Sequence, residues 1–271
     1  MRGATLEPKT DDIPTIDKYK LYTDAVQQPD RDVVFFRDAF REITGRDPKV
    51  LREDFCGTFR VCCEWAKLDP EHVAHGLDLD WEPAAYGRRM YLPRLTPAQR
   101  RRVRIRRKNV LDPDVPSADL IVALNFSYYI FKKRAELKAY LENCARTLPE
   151  GGLLFLDSFG GSDCHGPIED STRHRDFTYY WDQDDFDPIH NTARFFIHFR
   201  PKGGEKIERV FTYDWRIWTI PEVRELMEES GFRRSYVYWE GTQGEQGNGV
   251  FTRTEEGESC EAWIAYIVGE R

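Results

Sequence analysis

The pattern of apolar and polar residues changes along the chain, and the change divides the chain into segments. From Asp17 to Gly45 the apolar residues recur at the spacing of three and four that is typical of helices. In the second of two predicted helices, one face holds Val33, Phe36, Phe40 and Ile43. From residue 48 to residue 158, short apolar runs alternate with amphipathic stretches. This alternation predicts an α/β fold, with a doubly wound, mostly parallel sheet between layers of helices.

After Asp157 the alternation stops. Residues 158–191 are polar, aromatic and rich in turn formers, and two strand-like stretches follow at 192–200 and 205–219. A helix opened by Pro221 and two further strands complete the chain. Four segments are therefore predicted: an N-terminal arm and helical cap at 1–47, the α/β core at 48–158, a β-rich insert at 159–219, and a C-terminal helix with the last core strands at 220–271.

Composition and charge exclude several classes of protein. The 7 Trp, 13 Tyr and 17 Phe argue against a disordered chain. The longest apolar runs fall far short of the roughly 20 residues that cross a bilayer, and the N-terminus lacks the apolar stretch of a signal peptide. Six cysteines without a CxxC pair indicate reduced thiols and a cytoplasmic location. A net charge of −7 favours a small-molecule substrate over nucleic acid, and the six histidines lack the spacing of metal ligands.

The most informative stretch is the turn from Glu53 to Thr58, where an apolar strand ends and a helix begins. Gly57 allows a ligand to approach the backbone closely, and the helix start offers N–H donors. Asp78 lies 21 residues after Gly57, at the tip of the next strand, where it can accept hydrogen bonds from ribose hydroxyls. The alternatives are an ordinary strand-to-helix turn and a helix cap at Asp78, although Asp80 is the better candidate for that cap. Together the two features favour a nucleoside-containing ligand.

Residues 48–158 resemble the class I S-adenosylmethionine-dependent methyltransferases. The string EDFCGT is similar to the glycine-rich first motif of that family, with Glu53 at its acidic position and Gly57 at its middle glycine. Residues 148–154 resemble the turn into the fifth strand. The chain departs from the pattern at Phe55 and Phe59, where the family usually has glycine. An uncharacterised subgroup of the family has the strings LREDFCGT and LNFSY, and likeness to it implies no particular acceptor.

The resemblance implies a fold, a cofactor and a set of site residues. The sheet should have seven strands with an antiparallel last strand, and the cofactor should be S-adenosylmethionine. The residues expected to bind it are Tyr22, Arg52, Glu53, Phe55, Cys56, Gly57, Thr58, Asp78, Leu79, Asn109, Val110, Asn125 and Phe126. Of these, Asn109 and Val110 would contact adenine, and Asn125 and Phe126 would lie beside the methyl group. Asn125 and Tyr128 are the expected catalytic residues, with no metal.

The expected reaction is direct transfer of a methyl group to an oxygen or nitrogen atom of a small molecule. Such a transfer requires positioning and exclusion of water more than a protein nucleophile. Tyr22 and Tyr128 would face the cationic sulfonium or the substrate, or else only pack in the core. Two other functions remain open. A nicotinamide-dependent oxidoreductase would share the strand, turn and acid but normally has GxGxxG, and a nucleoside-cofactor-binding protein would lack turnover. The sequence is also compatible with a homodimer.

Overall fold

The structure, a computed structural model, describes residues 17–244 and 246–271. Its strands are β1 (Val50–Asp54), β2 (Val73–Asp78), β3 (Val103–Arg107), β4 (Leu120–Ala123), β5 (Leu153–Gly160), β6 (Ile168–Arg173), β7 (Phe177–Asp187), β8 (Thr192–Pro201), β9 (Ile207–Arg216), β10 (Arg234–Gln243), β11 (Gln246–Thr254) and β12 (Trp263–Glu270). Its helices are α1 (Lys18–Val26), α2 (Pro29–Thr44), α3 (Arg60–Leu68), α4 (Trp81–Met90), the short α5 (Pro97–Arg100), α6 (Arg134–Thr147) and α7 (Ile220–Glu229). The predicted arm at 1–16 lies outside the described residues.

The larger sheet confirms the predicted doubly wound architecture. Within the described residues it has eight strands, one more than the seven expected, in the order β11-β10-β12-β5-β4-β1-β2-β3. The strands β1 to β5 are parallel, and β12 runs antiparallel to both of its neighbours, β5 and β10. Helices α2 and α3 pack on one face, and α6 and α7 pack on the other. At one edge, β3 presents exposed arginines, Arg104, Arg106 and Arg107.

The additional strand β11 lies in a segment whose glycines predict a turn. It pairs with β10 along an antiparallel ladder that runs from Val237 opposite Thr254 to Gln243 opposite Gln246. Glycine weakens an isolated strand because it has no side chain to pack. At this edge, however, the ladder to β10 satisfies the backbone groups of β11 that face β10, and β10 supplies the template.

The β-rich insert predicted after β5 forms an antiparallel sheet that is separate from the larger one. In the described chain this sheet has four strands in the order β6-β7-β8-β9. Strands β8 and β9 correspond to the two stretches that alternation predicts, whereas β6 and β7 occupy a segment predicted to be turns. Phe177, Tyr179 and Trp181 alternate along β7, but the acidic residues that follow them obscure the period.

The N-terminal helices are fixed to the core by aromatic packing and hydrogen bonds. In α2, Phe36 is fully buried, and its ring centroid lies 5.2 Å from that of Phe155 on β5. Asp17 caps α1 and also accepts a hydrogen bond of 2.9 Å from the Tyr86 hydroxyl of α4. The cap therefore rests on both α4 and the sheet. No helix among the described residues is long and apolar enough to cross a membrane.

A buried ion pair within β1 is hydrogen-bonded to α6. The guanidinium of Arg52 donates to both carboxylate oxygens of Asp54, at 2.9 and 3.0 Å, and both side chains are fully buried. The Tyr140 hydroxyl donates to Asp54 at 3.0 Å, and Arg52 donates to the Thr147 hydroxyl at 2.8 Å. These bonds satisfy two charges that would otherwise be costly to bury.

Replacement of one member of this pair should destabilise the protein strongly. In Arg52→Met, Asp54 remains buried without its counter-charge, and we expect a loss of about 3–5 kcal/mol in the free energy of unfolding. Urea denaturation followed by circular dichroism measures it. The double variant Arg52→Met/Asp54→Leu removes both charges and should recover much of the loss. A single variant within about 1 kcal/mol of wild type would contradict this account of the pair.

Candidate functional site

Parallel strands end at a common edge, and this edge gathers the residues that sequence reasoning singled out. The strands β2 and β4 flank β1, so the chain leaves the sheet in opposite directions on either side of it. Ligands of open α/β sheets bind at such a switch point, outside the carboxyl ends of the strands. Glu53 and Asp78 lie at or next to the carboxyl ends of β1 and β2, and Asp157 lies on β5 immediately after Leu156, which pairs with the last residue of β4.

The loop after β1 has an unusual backbone. Phe55, Gly57 and Phe59 have positive φ values of 57°, 49° and 50°. The loop is held by hydrogen bonds from the Cys56 N–H to the Leu77 carbonyl, at 3.0 Å, and from the Phe59 N–H to the Cys56 carbonyl, at 2.6 Å. A Cβ atom added to Gly57 would have no described atom within 4 Å. Gly57 therefore faces open space that a ligand can fill.

Asp78 connects the end of β2 to this loop. Its Oδ2 accepts a hydrogen bond of 2.7 Å from the Gly57 N–H, and its Oδ1 accepts one of 2.8 Å from the Asp80 N–H. A carboxylate has about four lone-pair positions, so further hydroxyl donors can still bind. Burial raises the pKa of Asp78. Asp80 caps α4 by accepting from the Glu82 N–H at 2.9 Å, which confirms its predicted role.

Glu53 projects to the opposite face of β1 from the Arg52–Asp54 pair. It is buried, and its Oε2 accepts a hydrogen bond of 3.1 Å from the Cys62 N–H of α3. Burial raises the pKa of Glu53 to about 8, and the charges of Asp78 and Asp32 contribute to the shift. Asp32, in the first turn of α2, was not predicted. Its own pKa is raised to about 7 by burial and by the charge of Asp30.

Asp157, on β5, was also not predicted from the sequence. Its Oδ2 accepts from the Asn125 N–H at 2.6 Å, and its Oδ1 accepts from the Phe126 N–H at 2.8 Å. Burial raises the pKa of Asp157 to about 7, and the charge of Asp32 adds to the effect. Asp32 and Asp157, together with Glu53 and Asp78, make the edge acidic. An edge of this kind is complementary to a cation.

Aromatic rings from the insert and from α1 meet the same edge. Phe126 packs against Phe159 and Trp215, with ring centroids 4.6 and 6.3 Å apart. Tyr22 of α1 packs against Phe211 of β9 at 5.1 Å, and burial, the neighbouring tyrosines and the charge of Asp157 raise its pKa. We call this set the aromatic wall. Its members are Tyr22, Phe126, Phe159, Tyr179, Trp181, Phe211, Tyr213 and Trp215.

Arg52 is not positioned as the sequence analysis expected. Its side chain lies on the α6 face of β1 and is fully buried with Asp54, so its guanidinium does not reach the loop after β1. Cys56 and Thr58 are within the predicted loop but are themselves buried. Tyr128 is fully buried as well, and among the described residues its hydroxyl has no hydrogen-bond partner. Tyr128 therefore lies behind the site surface instead of on it.

The residues predicted to contact the nucleoside lie at the outer part of the edge. Leu79 is 57% exposed. The Oδ1 atom of Asn109 accepts from the Leu111 N–H at 2.9 Å, which shapes the turn after β3. Val110 is buried, and its carbonyl accepts from Asn143 of α6 at 2.7 Å. Asn109 and Leu79 are therefore the accessible members of this group.

No protein-family model and no curated protein sequence matches the chain. Solved structures do. The amino pentose methyltransferase CalS10 of Micromonospora echinaspora, bound to S-adenosylmethionine, aligns with a TM-score of 0.66 at 16% identity, over 96% of this chain and 99% of its own. The sugar N-methyltransferase KedS8 of Streptoalloteichus aligns with a TM-score of 0.61 at 18% identity, over 100% of this chain and 98% of its own. An S-adenosylmethionine-dependent methyltransferase of Clostridium acetobutylicum aligns with a TM-score of 0.64 at 15% identity, over 93% of this chain and 95% of its own.

The fold is that of the class I S-adenosylmethionine-dependent methyltransferases. The alignments extend over nearly the whole chain, so the likeness includes the N-terminal helices and the insert as well as the α/β core. In this methyltransferase fold, the loop after β1 and the tip of β2 occupy the switch point described above.

Glu53 should make stability depend on pH. A carboxyl group whose pKa is raised by folding stabilises the folded state below its unfolded pKa, and this contribution is lost as pH rises through the folded pKa. For Glu53 the window runs from its ordinary value of 4.5 to about 8. The variant Glu53→Gln should therefore gain stability relative to wild type between pH 5 and 8.5. Each tenfold change in the proton affinity of this carboxyl corresponds to about 1.4 kcal/mol.

Urea denaturation across this pH range measures the difference. Glu225→Gln, on the exposed face of α7, is the matched control and should follow the wild-type curve. If wild type and Glu53→Gln change in parallel with pH, Glu53 is not the group responsible.

Proposed function

We propose that the chain is an S-adenosylmethionine-dependent methyltransferase that acts on a small molecule. The proposal rests above all on the open face of Gly57, which lies beside Asp78 at the acidic edge of a methyltransferase fold. Solved neighbours bound to S-adenosylmethionine support the cofactor.

The chemistry of the donor set fits this cofactor. S-adenosylmethionine has ribose hydroxyls, an ammonium group and a sulfonium, and when bound it supplies an electrophilic methyl group. Asp78 would accept from the ribose hydroxyls, and Asn109 would lie beside the adenine. The carboxylates of Glu53 and Asp157 would stabilise positive charge. Asn125 and Phe126, on the turn after β4, would face the methyl-transfer position.

The aromatic wall supports an acceptor that contains an amine. Aromatic faces and a buried carboxylate both attract an ammonium group, and the side chains of the wall would also exclude water. CalS10 is described as an amino pentose methyltransferase and KedS8 as a sugar N-methyltransferase. We infer that this chain also methylates nitrogen on a small, ring-containing molecule.

The assignment of Asp78 can be tested by binding. Asp78→Ala removes charge-assisted hydrogen bonds, and we expect S-adenosylhomocysteine to bind more weakly by about 2–4 kcal/mol in calorimetric titration. Asp80→Ala, which removes only the cap of α4, is the matched control and should bind as wild type does. Unchanged affinity in folded Asp78→Ala would reject the ribose assignment. Binding of NADH in place of S-adenosylhomocysteine would favour the oxidoreductase.

The acceptor class can be tested by product analysis. Amino sugars and their hydroxyl counterparts would be incubated with S-adenosylmethionine and the protein, and products would be analysed by tandem mass spectrometry. We expect methylation on nitrogen in the amino sugars and no methylation of the matched hydroxyl compounds. Transfer to oxygen would contradict the amine proposal while leaving methyl transfer itself supported.

A further inference from the structure

The turn after β4 has a backbone that needs support. Asn125 and Phe126 have φ values of 55° and 57°, so two consecutive residues with side chains are in the left-handed region. This region brings Cβ close to the following carbonyl oxygen, and neither residue is a glycine that would adopt it freely. Asparagine tolerates the region better than phenylalanine does. An interaction from elsewhere in the fold must therefore compensate at Phe126.

Asp157 supplies that interaction. The pairing of β4 with β5 sets Ala123 opposite Leu156, so Asp157 comes immediately beyond the last paired position and lies beside the turn. Each of its oxygens accepts one N–H of the turn, at 2.6 Å from Asn125 and 2.8 Å from Phe126. Only 8% of Asp157 is exposed, and hydrogen bonds that an ionised carboxylate accepts are roughly twice as strong as those between neutral groups.

We propose that Asp157 is a positioning residue whose carboxylate holds the Asn125–Phe126 turn in its left-handed form. The turn in this form directs Phe126 against Phe159 and Trp215, which connects the end of β4 to the insert. Asp157 thereby fixes the position of Phe126, the member of the aromatic wall that lies on this turn. The effect on methyl transfer rests on the proposed function, whereas the effect on the turn does not.

The surroundings of Asp157 make its ionisation measurable. Burial raises its pKa to about 7, and Asp32 of α2 contributes through its charge. Among the described residues, the charge of Asp157 also raises the pKa of three tyrosines: Tyr22 of α1, Tyr128 of the turn that follows Phe126, and Tyr266, which pairs opposite Asp157 on β12. Protonation of Asp157 converts one oxygen from an acceptor to a donor, so one of the two bonds to the turn is lost.

The first test observes the turn directly and needs neither cofactor nor acceptor. In ¹⁵N-labelled protein, the amide resonances of Asn125 and Phe126 should shift together with pH, with a common midpoint near the pKa of about 7 for Asp157. In Asp157→Asn, which retains one acceptor, this titration should disappear and amide hydrogen exchange at the two positions should accelerate by about tenfold or more. Asp176→Asn, at an exposed site in the insert, should leave both measurements unchanged. Amides that do not titrate in wild type and do not exchange faster in Asp157→Asn would overturn the proposal.

The second test separates positioning from general structural damage. We expect Asp157→Asn to lower kcat by about 10- to 100-fold with a much smaller change in KM. Glycine adopts the left-handed conformation without support, so in a Phe126→Gly background Asp157→Asn should accelerate amide hydrogen exchange at positions 125 and 126 by a several-fold smaller factor. Equal acceleration in both backgrounds would overturn the positioning role. If wild type transfers no methyl group while the amides titrate as expected, the hold on the turn stands and the proposed function fails.

Discussion

The two-residue period of β1 separates two acidic side chains that are adjacent in sequence. Glu53 and Asp54 point to opposite faces of the sheet. Asp54 shares its face with Arg52, two residues away, and the ion pair they form neutralises it within the core. Glu53 faces α3 and the site, where the nearby charges are those of other carboxylates. A single strand thus provides both a neutral anchor for the sheet and an acidic surface at its edge.

This separation accounts for what the sequence could and could not predict. The strand-to-helix alternation and the spacing of Gly57 and Asp78 are local patterns, and the two residues do meet, at 2.7 Å. Arg52 adjoins the motif and was expected in the site, but a motif does not specify which face of a strand a neighbour occupies. Asp32 and Asp157 are far from the motif in sequence, so the register of β5 and the packing of α2 were needed to find them.

The insert illustrates a similar limit. Alternation predicted β8 and β9. It did not predict β6, which is almost entirely exposed and polar, β7, which ends in acidic residues, or β11, which contains glycines. In each of these cases pairing with a neighbouring strand overrides a weak local preference. The aromatic wall also depends on residues that are distant in sequence, since Tyr22 and Tyr213 come from segments far apart in the chain.

The arginines of β3 have a consequence for the behaviour of the protein in concentrated solution. An edge strand exposes backbone groups that can pair with another chain, and such pairing is a route to aggregation. Arg104, Arg106 and Arg107 line this edge with like charges, so two molecules that approached strand to strand would repel each other. The arginines of β3 thus disfavour edge-to-edge association, so this edge strand needs no helix or loop to cover it.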